Sequence, residues 1–172
     1  AELSLRAARE SVVLLKNDGL LPLNNNMPSA AVIGPLADEA FTDWYSGTPP
    51  YRITPLQGIT EKMNGLKVNF HTGLDQVRLR SAASGQYVTL ADDNRLLFGT
   101  NESSEAALFE RNDWGWGSVT LRLVSSGKFV TETENGLQAI ADEARGWFVK
   151  EAFGLETLPD GTTVMTSWEG KP

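Results

Sequence analysis

Val77-Arg78-Leu79-Arg80-Ser81-Ala82-Ala83-Ser84-Gly85-Gln86-Tyr87-Val88-Thr89 is echoed 42 positions later, without a gap, by Val119-Thr120-Leu121-Arg122-Leu123-Val124-Ser125-Ser126-Gly127-Lys128-Phe129-Val130-Thr131. A third version opens at Thr162-Thr163-Val164-Met165-Thr166-Ser167-Trp168-Glu169-Gly170-Lys171, its glycine 43 positions beyond Gly127. Repeats of this length mark units that cannot bury an apolar face alone and must pack on one another. The pairs Val77/Val119, Leu79/Leu121, Tyr87/Phe129 and Val88/Val130 coincide. Alternation at Val77 and Leu79 predicts a half-buried strand. Ser84-Gly85 and Ser126-Gly127 stand where a turn is needed, because glycine reaches positive φ at low cost. Each repeat continues with a second apolar segment, Leu96-Leu97-Phe98 or Leu137-Gln138-Ala139. A third follows, Ala107-Leu108-Phe109 or Trp147-Phe148-Val149. Each unit is therefore expected to hold four short strands.

Before the repeats the pattern is different. Leu5, Ala8, Val12 and Leu15 recur at helical spacing, and Leu3 to Leu15 reads as a helix that Asn17-Asp18-Gly19 ends. Leu20-Leu21-Pro22-Leu23 is expected as a buried connector. Ala30-Ala31-Val32-Ile33, bounded by Gly34-Pro35, suits a strand buried on both faces. Thr54-Pro55-Leu56-Gln57 opens a helix, with Thr54 as cap, Pro55 at the first helical position and Gln57 completing a capping box. Leu56, Ile59 and Met63 share its apolar face, Asn64-Gly65 closes it, and Lys67-Val68-Asn69-Phe70 reads as a second strand. Strand, loop, helix, strand is a βαβ unit. The fold class is thus α/β plus all-β, with a βαβ domain over residues 1–76 and a repeat domain over residues 77–172. Because the third repeat breaks off and Ala1 falls at the start of a helix, the sequence is expected to be a piece of a longer polypeptide.

Ligands in such sheets gather beyond the carboxyl ends of the strands. After the first strand that place is Gly34 to Asp38 and the loop holding Trp44, Tyr45, Tyr51, Pro49 and Pro50. Aromatic faces pack on sugar C–H faces, and Tyr and Trp polar atoms can meet hydroxyls. The alternative is that these aromatics only anchor a long loop to its own domain. Asp113-Trp114-Gly115-Trp116-Gly117 leaves the same choice open, between a stacking platform and packing, and packing is favoured because large apolar patches are seldom left exposed. Arg80 and Arg122 occupy equivalent positions and read as internal hydrogen-bond donors.

The chain of 172 residues carries a formal net charge of −7. Residues 1–76 hold 6 basic and 8 acidic side chains, and residues 77–172 hold 9 and 14. Neither half offers the basic face that backbone-driven nucleic-acid binding needs. No apolar run approaches the roughly 20 residues that cross a bilayer, so no membrane partner is expected. The absence of cysteine excludes disulfides and thiol chemistry. His71 is the one histidine, so no histidine metal cluster forms around it, and no metal or cofactor is expected. A neutral-ligand-binding protein is the simplest reading.

Glu10-Ser11-Val12-Val13-Leu14-Leu15-Lys16-Asn17-Asp18-Gly19-Leu20-Leu21-Pro22-Leu23 resembles the opening of the second domain of family 3 glycoside hydrolases. Ala31-Val32-Ile33-Gly34-Pro35-Leu36-Ala37-Asp38 resembles that domain's first strand and turn. Trp44-Tyr45-Ser46-Gly47-Thr48-Pro49-Pro50-Tyr51 with Thr54-Pro55-Leu56-Gln57-Gly58-Ile59 is most similar to the β-xylosidase and arabinofuranosidase-like branch. The resemblance covers roughly residues 4–74 and implies the start of an αβα sandwich in a retaining β-glycosidase. It implies a preceding (β/α)₈ barrel with the nucleophilic aspartate, and an acid/base carboxyl later in the sandwich; no carboxylate of residues 1–76 matches that motif. The partners implied are an oligosaccharide or glycoside substrate and the remainder of the parent polypeptide. Trp44, Tyr45 and Tyr51 become the candidates for a leaving-group sugar subsite, and no catalytic residue is assigned. Asp38 reads as structural.

Leu79-Arg80-Ser81 and Ser84-Gly85-Gln86-Tyr87-Val88, with their partners Ser126-Gly127-Lys128-Phe129-Val130-Thr131, resemble a fascin-like β-trefoil. That fold has three repeats, so two and the start of a third are expected here, inserted in the sandwich. The glutamine-X-tryptophan signature of ricin-type lectins is missing, so no lectin subsites carry over. Two further readings stand beside the enzyme. One is a non-catalytic carbohydrate-binding or spacer module. The other is an interaction protein unrelated to sugar, for which the fascin resemblance raises actin, although no basic surface supports it.

Overall fold

A computed structural model describes residues 2–24, 27–41, 45, 47–145 and 149–170. The protein is sheet-rich, with few helices, and resolves into two compact units, Ala1–His71 and Thr72–Pro172.

In the first unit, β1 (Ser29–Ile33) and β2 (Lys67–His71) pair in parallel, from Ser29 opposite Lys67 to Ile33 opposite His71. Between them in the chain runs α2 (Pro55–Lys62). The sequence dictates both ends of that helix. Thr54 is extended and its Oγ1 accepts from Gln57 N at 3.1 Å. Asn64 and Gly65 take positive φ, +40° and +92°, and stop the helix. The reciprocal half of the expected capping box is not made, because the Gln57 amide donates to Glu61 Oε1 at 3.1 Å, one turn ahead. A different bond holds the N-terminus instead: Thr54 Oγ1 donates to Asp38 Oδ1 at 2.9 Å, while Leu56 N donates to Ala37 O at 2.7 Å. Asp38 thus ties the turn after β1 to the start of α2. Thr54→Ala removes the cap acceptor and the Asp38 donor together. The expected cost is about 1 kcal/mol, read as a roughly fivefold rise in amide exchange across α2; unchanged exchange would mean that Pro55 alone sets the helix start.

Three expectations for this unit are corrected. The first helix, α1 (Glu2–Ser11), ends at Ser11 rather than Leu15. Ser11 Oγ turns back on Ala8 O at 2.8 Å, and the β-branched pair Val12-Val13 follows outside the helix. Asn17 then organises a loop of its own, accepting from Gly19 N and Leu21 N and donating to Leu21 O. Leu20, Leu21 and Leu23 are exposed instead of buried. In β1 only Ala30 and Val32 are partly covered, whereas Ala31 and Ile33 are exposed. A two-stranded sheet offers one layer to pack on, too little to cover two strand faces and a helix stripe.

The second unit carries the core: Val88, Phe109, Val119, Leu121, Leu123, Val130, Ala139 and Phe153. Its strands are β3 (Asp75–Val77), β4 (Tyr87–Leu90), β5 (Leu96–Thr100), β6 (Phe109–Asp113), β7 (Ser118–Leu123), β8 (Phe129–Thr133), β9 (Gly136–Ala141), β10 (Ala152–Thr157) and β11 (Thr163–Thr166). One antiparallel path runs β3, β6, β7, β10, β11; β4 and β5 form a hairpin, and so do β8 and β9. The register recurs. Phe109 lies opposite Val77 and Leu123, and Phe153 lies opposite Val119. Phe109 and Phe153 are both fully buried, 44 residues apart.

The expected fourth strand of the second repeat at Trp147-Phe148-Val149 is corrected. Val149 is irregular, Trp147 and Phe148 lie outside the described residues, and the strand is β10, with Phe153 doing what Phe109 does. The second repeat is slightly longer between its hairpin and this strand, so alignment on glycine places the apolar segment too early.

The turns also repeat in detail. Gly85 (φ +73°) and Gly127 (φ +70°) each donate to the carbonyl four residues back, Ser81 O and Leu123 O. Arg80 Nε donates to Gly85 O at 2.7 Å, and Arg122 Nε to Gly127 O at 3.0 Å. Each guanidinium then lies over the next aromatic ring, 5.6 Å from the Tyr87 centroid and 5.9 Å from that of Phe129. A Cβ at either glycine would come within 3.3 Å of that arginine. The two arginines are internal donors, as their spacing suggested.

Candidate functional site

The connector from Gly34 to Thr54 leaves the carboxyl end of β1, the place where open α/β sheets gather ligands. Gly34 N donates to His71 O at 3.0 Å, so the connector starts hydrogen-bonded to the end of β2. Asp38 and Ala37 fix it to α2, as described above. Along it, Tyr45 is 96% exposed and Tyr51 62% exposed, and Phe41 is exposed too. Trp44 lies outside the described residues. The structure therefore puts Tyr45 and Tyr51 on the outer surface of one anchored loop. His71 closes β2 and joins no metal cluster; among the described residues no group of three or more potential ligands is close enough to hold an ion.

In the second unit, Trp114 and Trp116 flank Gly115, whose φ of +83° lets the chain fold back between them. Their rings stack, with centroids 6.3 Å apart and 18° between planes. Trp114 packs and donates from Nε1 to Thr120 Oγ1 at 3.3 Å. Trp116 is 77% exposed. Packing, the outcome favoured from the sequence, holds for the first tryptophan and not for the second. Composition around Gly115 and Gly117 carried no signal to separate them, because only the β7 residue Thr120 decides which ring is held.

Among the described residues, two carboxyls have shifted acidity. Asp93 is lowered, first by the hydrogen bond from Arg95. Asp160 is lowered by the hydroxyl of Thr162 and then by its backbone N–H. Both favour the charged form, the opposite of what a general acid needs near neutral pH. The buried acid Glu151 accepts from Thr131 Oγ1 at 2.7 Å, a polar pair inside the repeat that alternation patterns did not reveal.

Residues 12–157 match the glycosyl hydrolase family 3 C-terminal domain, most of the chain and both units. The chain belongs to glycosyl hydrolase family 3. Among relatives of this family 3 chain, the exo-1,4-beta-xylosidase xlnD of Emericella nidulans is 34% identical over 128 residues, covering 72% of this chain and 16% of that protein. The probable beta-D-xylosidase 7 of Arabidopsis thaliana is 34% identical over 131 residues, covering 72% and 17%. The beta-xylosidase of Formosa agariphila is 39% identical over 85 residues, covering 43% and 12%. The family 3 chain thus spans about one sixth of the length of the first two. The motifs around Leu14, Ile33 and Thr54 identified the family from sequence.

Proposed function

We propose that this family 3 chain is part of a retaining β-glycosidase that hydrolyses β-xylosides or β-glucosides. The observation that carries the proposal is the 34% identity over 128 residues to an exo-1,4-beta-xylosidase. Residues 1–76 contribute the start of the αβα sandwich; the parallel β1–α2–β2 unit supports this. Residues 77–172 form an accessory fascin-like β-trefoil inserted in it, two repeats and the start of a third; the recurring register and the paired arginine–glycine corners support this. The retaining mechanism needs two carboxyls roughly 5–5.5 Å apart, one attacking the anomeric carbon and one protonating the leaving oxygen. Both belong to the remainder of the polypeptide. Trp44, Tyr45 and Tyr51 line the subsite for the departing sugar, on a loop that Asp38 and Thr54 hold in place.

The test uses the full-length protein and chromogenic β-xyloside and β-glucoside, and turnover of neither would overturn the proposal. Trp44→Ala and Tyr51→Ala should each lower kcat/KM for xylotriose about tenfold, some 1.4 kcal/mol, while the aryl xyloside stays within about twofold. Equal losses on both substrates would make the loop aromatics anchors.

The exposed ring of Trp116 favours a second, compatible role in which the repeat unit holds polysaccharide. Xylo-oligosaccharides at millimolar concentration should then quench tryptophan fluorescence of the 172-residue chain, and Trp116→Ala should abolish the change. A flat titration would leave the unit as a spacer.

A further inference from the structure

The two repeats differ where β4 and β8 meet the stretches that lead into β6 and β10. In the second repeat that place is sealed. Thr131 Oγ1 donates to Glu151 Oε1 at 2.7 Å, and Glu132 N donates to Lys150 O at 3.1 Å. Glu151 is itself buried and stands two residues before the buried Phe153. In the first repeat the residue two before the buried Phe109 is Ala107, whose methyl group cannot make that bond.

The partners of the seal are left open. Thr89 is the counterpart of Thr131 in the gapless alignment, and its Oγ1 has one long bond, to Leu97 O at 3.4 Å. Leu90 is the counterpart of Glu132. Its N–H points away from β5, because amides alternate along a strand: Val88 N donates to Leu79 O on that side, and Ala91 N to Arg95 O across the hairpin. Among the described residues the Leu90 amide meets no acceptor there. A cavity of about 500 Å³ opens instead, lined among others by Thr89, Leu90, Glu105, Ala107, Leu123 and Val124. Every lining residue lies between Thr89 and Ser125, so one repeat and the bend that opens the next are enough to build it. Glu105 brings the one carboxylate of the lining, and its Oε2 is held by the buried Thr100 Oγ1 at 2.8 Å.

We propose that this cavity is a binding site for one ring of a neutral sugar. The Leu90 amide and the Thr89 hydroxyl supply donors, and the Glu105 carboxylate accepts only. Adjacent sugar hydroxyls answer both, since each hydroxyl donates and accepts. An anion would be repelled by Glu105. An ammonium group would suit Glu105 but leave the Leu90 amide unpaired, which costs free energy away from water. The aliphatic side chains of Leu90, Leu123 and Val124 offer apolar surface to the C–H faces of the ring, and the volume falls within the roughly 300–1,000 Å³ of small-molecule sites. The inference rests on the reading that the repeat unit holds saccharide, and it assigns that role a site separate from the ring of Trp116.

The experiment follows amide chemical shifts of the 172-residue chain as xylose and xylotriose are added. The amides of Thr89, Leu90 and Ala107 should shift and saturate at millimolar sugar. A107E gives the first repeat the carboxylate that Glu151 gives the second. It should abolish these shifts while the rest of the spectrum stays that of the folded protein. T89V keeps the shape of the side chain and removes its hydroxyl, and should weaken binding about fivefold, the loss of one hydrogen bond. W116A should leave the affinity of this site unchanged. Shifts confined to residues around Trp116 overturn the inference and leave the Trp116 reading standing. Shifts at Leu90 with none around Trp116 sustain the inference and remove that platform. No shift anywhere overturns both. If A107E does not fold, T89V decides, and undiminished affinity in that variant overturns the site. Larger shifts at Leu90 with acetate or tetramethylammonium than with xylose overturn it as a sugar site.

Discussion

Phe109→Ala is expected to cost about 3–5 kcal/mol and to bring the Thr72–Pro172 unit close to unfolding. The side chain is 0% exposed and lies opposite Val77 on one strand and Leu123 on the other, so its removal leaves a hole between three strands. Strands on both sides are held by their own ladders and cannot collapse into the space, which puts the cost at the upper end of the range. Phe153→Ala, at 1% exposure and the corresponding register position, should cost a similar amount. Phe98→Ala serves as the contrast: in the 172-residue chain its exposed ring should be worth under about 1 kcal/mol. Urea unfolding followed by near-ultraviolet circular dichroism measures all three. A loss below about 1 kcal/mol at Phe109 would mean that the repeats do not share a core.

The second large effect is catalytic. The 172-residue chain should hydrolyse chromogenic β-xyloside no faster than buffer, whereas the full-length protein should exceed the uncatalysed rate by at least about a millionfold. Hydrolysis with retention requires a nucleophile and a carboxyl that stays protonated near neutral pH. Among the described residues, the two carboxyls of altered acidity move the other way. Asp93 is held charged by Arg95 and Asp160 by Thr162. Because both pKa values are lowered on folding, what they contribute to stability is present above the unfolded value and is lost as pH falls through the folded one. That is a feature of loop structure in acid and has nothing to offer a leaving group. Steady turnover by pure chain, surviving repeated purification, would show a complete site within these residues.

Local chemistry was legible and packing was not. Thr54-Pro55 and Asn64-Gly65 bracket α2 in the sequence because caps act within one turn of the chain. Val32 and Val68 identify paired strands because short apolar runs between turn residues leave few alternatives. The turn glycines could be read since their arginine and aromatic partners lie within five residues. Where the deciding contact is remote, reading failed. The helix stripe of Leu5, Val12 and Leu15 promised a partner surface, and these residues are exposed, so the helix stops early. β10 was misplaced because an apolar triplet at Trp147 looks like a strand, and only the register against β7 shows that Phe153 fills the role. For the candidate site, the loop and its tyrosines were visible from composition. The bond from Thr54 to Asp38 was not, because it spans 16 residues with no pattern between them.

The arginine–glycine corners suggest a use. Residues 80–87 and 122–129 make the same reverse bend with different tips, Ala82-Ala83 in one and Val124-Ser125 in the other. The second tip is tied down, because Val124 N donates to Leu108 O at 2.9 Å, whereas Ala82 and Ala83 at the first tip are exposed. A peptide tag or spectroscopic label of a few residues placed at Ala82 should ride on the surface as a reporter while β3 and β4 on either side keep their pairing.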